Sequence, residues 1–391
     1  MMMNQNKAAY FIIAFLSLTT YESFGQQKRV ITTACPFLTI SPDARSAALG
    51  DAGVAISADA NSTYWNPAKL VFAKEDYGFA LSYTPWLRAL IGDMSISHLS
   101  GYSKLKNKNQ VLGGYLTYFN LGGINFTDTG GNPIIDFRPR EFAIAVVGSQ
   151  KLSDNISLSV TLRYIHSNLA GSNSFTTIGV TTKPGNSATA DVAMYYKSDF
   201  KISDQNFNLA LGFNLSNVGS KISYSNRGNR EFLPTNLKLG TAVTYHADAF
   251  NKFTLALDFN KLLVPTPSDT GKFSPQKPYL SGVLGSFSDA PGGFKEELQE
   301  VNVNSGIEYW YNDIFAVRVG YKYSSPVKDN QRYISVGFGF HYNNLGLDAA
   351  YLIPNQKQNA LGETLRFTLH LKFTKAKPLV LPEERPEEVV N

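Results

Sequence analysis

The 391-residue chain reads as an all-β protein, a transmembrane antiparallel β-barrel of about 14 strands with an N-terminal periplasmic plug segment. Three observations carry that reading. The first is composition: 21 Tyr, 26 Phe and 31 Gly with only 17% charged residues favour many aromatic strands over a soluble α/β enzyme. The second is strict period-two alternation from Tyr77 onward, which gives each strand one apolar and one polar face. The third is the parity of the connections, short after even strands and long after odd ones, as an up-and-down outer-membrane barrel requires.

The elements follow in order. Residues 1–25 form an expected signal peptide: Lys7 supplies the positive start, Ala8 to Leu18 the apolar stretch, and Ser23-Phe24-Gly25 a small-x-small cleavage pattern. That stretch is about half of the roughly 20 residues a spanning helix needs. Cys35 is the single cysteine, so it forms no intramolecular disulfide. A lipid-anchoring role fits it poorly, because Thr32-Thr33-Ala34 offers no aliphatic residue before it. A small apolar packing residue is the plainer reading.

Residues 26–76 form the expected plug segment. Ser41 before Pro42, ahead of Asp43, and Asn66 before Pro67, after Trp65, each place an N-cap type ahead of a proline at the first helical position. Gly50 fits the stop of the first short helix. An even strand count puts both chain ends at the periplasmic side, so this segment enters the barrel from below or packs inside it.

The barrel spans 77–373, with strands expected near 77–83, 94–102, 110–119, 141–150, 156–166, 189–198, 207–214, 237–246, 252–259, 303–311, 314–323, 333–342, 345–352 and 365–373. The last is the cleanest. Leu365, Phe367, Leu369, Leu371 and Phe373 point one way, and Arg366, Thr368, His370 and Lys372 the other. A soluble sandwich would need cover for every such apolar face, whereas lipid supplies it here. Tyr164, Tyr195, Tyr196, Tyr311, Tyr342 and Tyr351 suit interfacial girdles. The lumen side then carries Arg163, Lys238, His246, Asp258, Glu308, Arg318, Lys322, His341, Arg366, His370 and Lys372, expected to pair with one another and with the plug. Phe294 to Val301 has a helical look within the long segment after residue 260. Residues 374–391, rich in Pro and Glu, read as a disordered periplasmic tail.

Several functions are disfavoured. The net charge of +5 is modest, and no basic run is interleaved with aromatics, so nucleic acid is not an expected partner. The five histidines lack metal-ligand spacing, and neither a GxSxG elbow nor a phosphate-binding glycine loop occurs. No catalytic residue, metal or cofactor is expected.

The segment ITTACPFLTISPDARSAALGDAGVAISADANSTYWNPAKL, followed by YGFALSYTPWLR, resembles the PorV (LptO) family of the type IX secretion system. The likeness covers essentially the whole mature chain, with Cys35 standing where an aliphatic residue is expected. It implies an outer-membrane barrel similar to FadL-type transporters. It also implies a non-enzymatic role in which the protein receives the C-terminal signal domains of cargo at the translocon barrel and passes them to a surface attachment complex with a sortase-like protease, which anchors cargo to lipopolysaccharide. Two alternatives are a FadL-like channel for hydrophobic molecules and a lipopolysaccharide deacylase. For partner binding the outer loops offer Trp86, Leu87 and Arg88, where an aromatic and a cation suit an interface, and Phe294 and Leu298; Trp86 is equally suited to anchor at the membrane boundary. Replacing Asn66 and Pro67 together by alanine is expected to unseat the plug and sensitise cells to large antibiotics; unchanged sensitivity at normal protein level counts against a sealing role.

Overall fold

In this computed structural model the described residues are 29–87, 92–127, 130–169, 171, 174–175, 180–225, 230–267, 277–355 and 364–374. The expected signal peptide and C-terminal tail, and Arg88, lie outside them. Eighteen strands are present among the described residues. They begin with β1 (Tyr77–Pro85), β2 (Ser95–Lys104), β3 (Gln110–Asn120), β4 (Ile124–Thr127), β5 (Pro133–Phe137) and β6 (Arg140–Lys151). Next come β7 (Ile156–Asn168), β8 (Ser174–Phe175), β9 (Val180–Thr181), β10 (Gly185–Ile202), β11 (Gln205–Gly219) and β12 (Asn236–His246). The last are β13 (Asn251–Leu262), β14 (Val301–Tyr311), β15 (Phe315–Tyr323), β16 (Tyr333–Tyr342), β17 (Leu345–Pro354) and β18 (Thr364–Phe373).

Fourteen of these close into one antiparallel barrel, with β1 pairing β18 from Tyr77↔Phe373 to Tyr83↔Phe367. The remaining four form two small hairpins, β4–β5 and β8–β9, inside connections that the sequence reads as plain loops. Short connections gather at the end where β1 starts and β18 finishes, and long ones at the other. Outer-membrane barrels carry their long loops outside, so the long-loop end is the outer end.

Alternation fixes the two faces. On β7, Val160 and Leu162 are 53% and 65% exposed while Thr161 and Arg163 between and beside them are buried. Each such side chain left in water would forgo about 1.5–3 kcal/mol of burial, so the outer band is built for lipid. At the short-turn end Phe200, Phe207, Tyr245, Phe253 and Tyr309 run around five neighbouring strands with ring centroids 4.8–6.5 Å apart. They form an interfacial girdle. Tyr195 is not part of one: it is buried inside, 5.8 Å from Phe72. Tyr195 and Tyr196 are adjacent on a strand and must face opposite sides.

The lumen is filled by the N-terminal segment. A 3₁₀ turn, Pro36–Thr39, leads to α1 (Ala44–Ala48) and α2 (Ser62–Trp65), then to a second 3₁₀ turn, Pro67–Phe72. The first helix starts later than the Ser41-Pro42 pair suggests. Its cap is Asp43, extended at φ −114° and ψ 153°, whose Oδ2 accepts from the Ser46 N–H at 2.8 Å. The Ser41 carbonyl is instead engaged by the Arg366 guanidinium, and its segment stays extended up to Asp43. At the second start Asn66 does cap: its Oδ1 accepts from Ala68 N–H at 3.1 Å, while its amide donates to Val54 O at 3.2 Å and Met194 O at 3.0 Å.

This segment runs the height of the barrel. Ala34, Cys35, Phe37 and Leu38 pack with Trp86, Met94, Ile96 and Phe119 at the outer end, whereas Phe72 and Ala73 reach the short-turn end, where Lys104 Nζ donates to Ala73 O. Wall glycines admit it. A Cβ at Gly306 would lie 2.7 Å from Leu49 Cα, and one at Gly320 would overlap the backbone of Gly50. Gly50 itself has φ +67°, the left-handed stop suited to glycine. Gly320→Ala is therefore expected to lower unfolding stability by about 1–3 kcal/mol, read from heat-modifiable gel mobility. Gly148→Ala, where a Cβ meets nothing, should leave it unchanged.

Candidate functional site

Burying a charged group without a partner is costly, and the lumen satisfies its charges by pairing plug with wall. Arg45 of α1 makes a two-point contact with Glu308 at 2.9 and 2.8 Å and reaches Asp59 at 3.0 Å. Arg318 bonds the same Glu308 at 2.7 Å and Asp348 at 2.8 Å, and Asp348 meets His370 Nε2 at 2.8 Å. Asp51 takes Lys322 at 3.1 Å and the Tyr333 hydroxyl at 2.6 Å. Asp258 accepts two plug N–H groups, from Gly53 and Val54, at 2.8 and 2.9 Å.

Aromatic contacts complete the seat. Trp65 Nε1 donates to Asp43 at 2.6 Å, and Lys238 lies over the Trp65 and Tyr64 rings at 4.6 and 5.1 Å. Ser41, Pro42, Asp43, Trp65, Asn66 and Pro67 are thus all buried in the lumen. Arg163 bonds Tyr115 at 2.6 Å and Asp191, which strand alternation turns inward; opposite it the β10–β11 register shifts by one residue on β11, where the Asn217 N–H donates to Asp191 at 2.8 Å. His98, given no role from sequence, is fully buried and bonded to Thr117 at 2.8 Å. Its place on the same strand face as Ile96 and Ser100, opposite Leu99, was the available signal. The wall glycines were also legible as points where another backbone approaches a strand.

His341, Asp348 and His370 bring potential ligand atoms within 4.8 Å of one another. Arg318 already occupies Asp348, and Lys372 Nζ lies 3.1 Å from His341 Nδ1. Two cations fixed beside that single carboxylate and its histidines favour a hydrogen-bonded network over a divalent metal.

At the outer mouth the sequence expectation for Trp86 needs correction. Trp86 is 8% exposed, its backbone N–H donates to Met94 O at 3.0 Å, and its side chain packs in the cluster with Cys35 and Phe37. It is neither a free interface residue nor a membrane anchor. Leu87 packs against the same cluster with φ +48°. Cys35 is buried there, and burial, then the Glu141 charge, push its thiol up to about 12. It stays protonated and serves as packing.

Phe294 and Leu298 are different. They lie on α4 (Phe294–Gln299), preceded by α3 (Tyr279–Gly285) in the same connection; only the later helix was expected. Phe294 and Leu298, one turn apart, are 77% and 56% exposed, as are Leu280 and Leu284 on α3 at 69% and 71%. The opposite side of α4 is fastened by ions. Glu296 accepts from Arg29 at 2.6 Å and Lys328 at 2.7 Å; Glu297 from Lys261 at 2.9 Å; Glu300 from Lys261 and Lys328 at 2.8 Å each. The plug's leading residues, the end of β13 and the β15–β16 connection therefore converge on one short helix.

Burial acting alone would push the Glu296 carboxyl up, but hydrogen bonds from Lys328 and the Gly292 N–H, with the Lys328 and Arg29 charges, outweigh it and hold it below the ordinary 4.5. A depressed carboxylate stabilises the fold fully above its unfolded value and ceases to do so as pH falls through the folded one. Amide exchange over 292–300 should accordingly be protected at pH 7 and lose protection below about pH 4. Lys328→Met should already lose it at pH 7. Equal protection at pH 3 and pH 7 would contradict the ionic fastening.

Residues 23–269 match the family model described as "Type IX secretion system protein PorV", and no curated protein sequence matches. Among solved structures, one of the Pseudomonas putida toluene transporter TodX aligns at TM-score 0.47 and 12% identity over 88% of this chain and 98% of that one. The Ralstonia pickettii toluene transporter TbuX aligns at 0.44 and 10% over 85% and 98%. A Pseudomonas aeruginosa FadL homologue aligns at 0.41 and 11% over 88% and 100%. The match over residues 23–269, together with a closed fourteen-stranded barrel, places this outer-membrane chain in the PorV family of the type IX secretion system.

Proposed function

We propose that this protein is a binding and hand-over component of type IX secretion, without bond chemistry of its own. It takes the C-terminal signal domains of cargo at the translocon barrel and delivers them to a sortase-like surface attachment complex. The observation that carries this reading is the pair of exposed apolar helix faces, Leu280 with Leu284 and Phe294 with Leu298, held at the outer end by the ionic cluster beneath α4. Large apolar side chains presented on a fixed backbone are what a protein partner can bury with little ordering cost.

The filled lumen points the same way. With α1, α2 and the second 3₁₀ turn hydrogen-bonded to the wall and the first 3₁₀ turn packed against Ile96 and Phe119, cargo is handled at the outer surface. The FadL-like channel reading would require that packing to open. For the lipopolysaccharide deacylase, the side chains of His98, His166 and His370 bond Thr117, Asn186 and Asp348, and none of these three contacts pairs a histidine with a serine, as nucleophile activation would need.

Affinity purification of the tagged barrel from native membranes tests the proposal. Translocon and signal-domain cargo should be recovered with the wild type. The Phe294→Asp/Leu298→Asp variant, folded by heat-modifiable mobility, should lose cargo by about 30-fold, the equivalent of one strong hot spot near 2 kcal/mol. Unchanged recovery of cargo would remove these helices from the binding surface, and absence of cargo from the wild type would sink the shuttle role.

A further inference from the structure

At the short-turn end the lumen opens into a cavity of about 510 Å³ below the plug. Its rim is basic. Lys74, Lys197, Lys252 and Lys372 line it together with His246, against the carboxylates Glu75 and Asp313. Lys74 and Lys252 share Asp313. Lys197 lies over the Phe72 ring at 4.8 Å, and Lys372 meets His341; among the described residues neither has a carboxylate in salt-bridge range. The deeper charges, Arg45 with Glu308 and Asp59, are already paired. Four cations against two anions around a concave, low-dielectric recess attract an anionic chain.

The sequence supplies one at that place. β18 finishes at Phe373, directly after the rim residue Lys372, and ten residues beyond Thr374 lies Glu384 in the run Glu383-Glu384-Arg385-Pro386-Glu387-Glu388. Ten residues span at most about 35 Å. A fourteen-stranded barrel with strands about 4.8 Å apart and tilted about 40° is roughly 28 Å across, so the acidic run reaches every rim lysine.

We propose that the glutamate-rich run 383–388 docks in this basic vestibule as an intramolecular ligand. The occupant is this chain's own segment because it is tethered at the rim and carries the complementary charge. Tethering sets an effective concentration in the millimolar range, so weak ion pairs suffice to hold it.

Disulfide mapping in outer-membrane preparations of the full chain tests this, in a Cys35→Ser background with Glu384→Cys in the tail. The second thiol is Thr244→Cys, which lines the vestibule, or Asp154→Cys, on an exposed turn at the same end of the barrel. Asn208→Cys, also lining the vestibule, replaces Thr244→Cys should that barrel fail to show heat-modifiable mobility. Oxidation should link position 384 to the vestibule at least fivefold faster than to Asp154→Cys, and Lys197→Glu/Lys372→Glu should bring the two rates together. Equal rates, indifference to that charge reversal, or a vestibule thiol joined mainly to another polypeptide would each overturn the assignment.

Discussion

Glu308 sits between two guanidinium groups, one from the plug and one from the wall. Arg45 grips it from α1, Arg318 from β15, and Asp59 and Asp348 extend the chain of ions on either side. A buried pair of this kind adds little net stability over an apolar filling, yet losing one partner strands a charge at a cost of about 3–5 kcal/mol. Its effect is on specificity. Only one depth and one rotation of the N-terminal segment satisfies every ion at once, and that placement brings Leu49 and Gly50 against Gly306 and Gly320.

Packing against glycine then tightens what the ions select. Ala44, Ala47 and Ala48 are fully buried against Tyr333, Ala350 and Leu352, and Val54 fits over Gly212 and Gly240. Small side chains on both surfaces let backbones approach closely, so the segment fills the lumen with few long side chains. This is why its sequence looks alanine- and glycine-rich and lacks strand alternation.

Much of this was legible in the residues. Period two is imposed by the pleat, so Arg366 and His370 had to face opposite to Leu365 and Leu369, and the fourteen barrel strands follow from such runs. Asn66 before Pro67 was readable because capping is local. Less legible was whatever depended on a distant partner. Ser41-Pro42 resembles a helix start, but the chain stays extended there, its Ser41 carbonyl held by Arg366, from more than three hundred residues away, and the cap passes to Asp43. Trp86 looked exposed beside a loop; the apolar cluster that hides it is made by Phe37 and Met94, which no local pattern brings together. At the outer mouth, Phe294 was readable from helical periodicity, whereas the cations beneath it come from three separate stretches of chain.

The path of the N-terminal segment has a consequence for assembly. Residues around Ala34 lie at the outer mouth, and the chain descends the whole lumen before entering β1. β1 in turn is sealed by the last strand, from Tyr77↔Phe373 to Tyr83↔Phe367. The second 3₁₀ turn ends at Phe72, five residues before the seam strand begins at Tyr77, so the first-to-last pairing, with its large loop-closure cost, anchors the lower end of the filling in the same act that closes the cylinder.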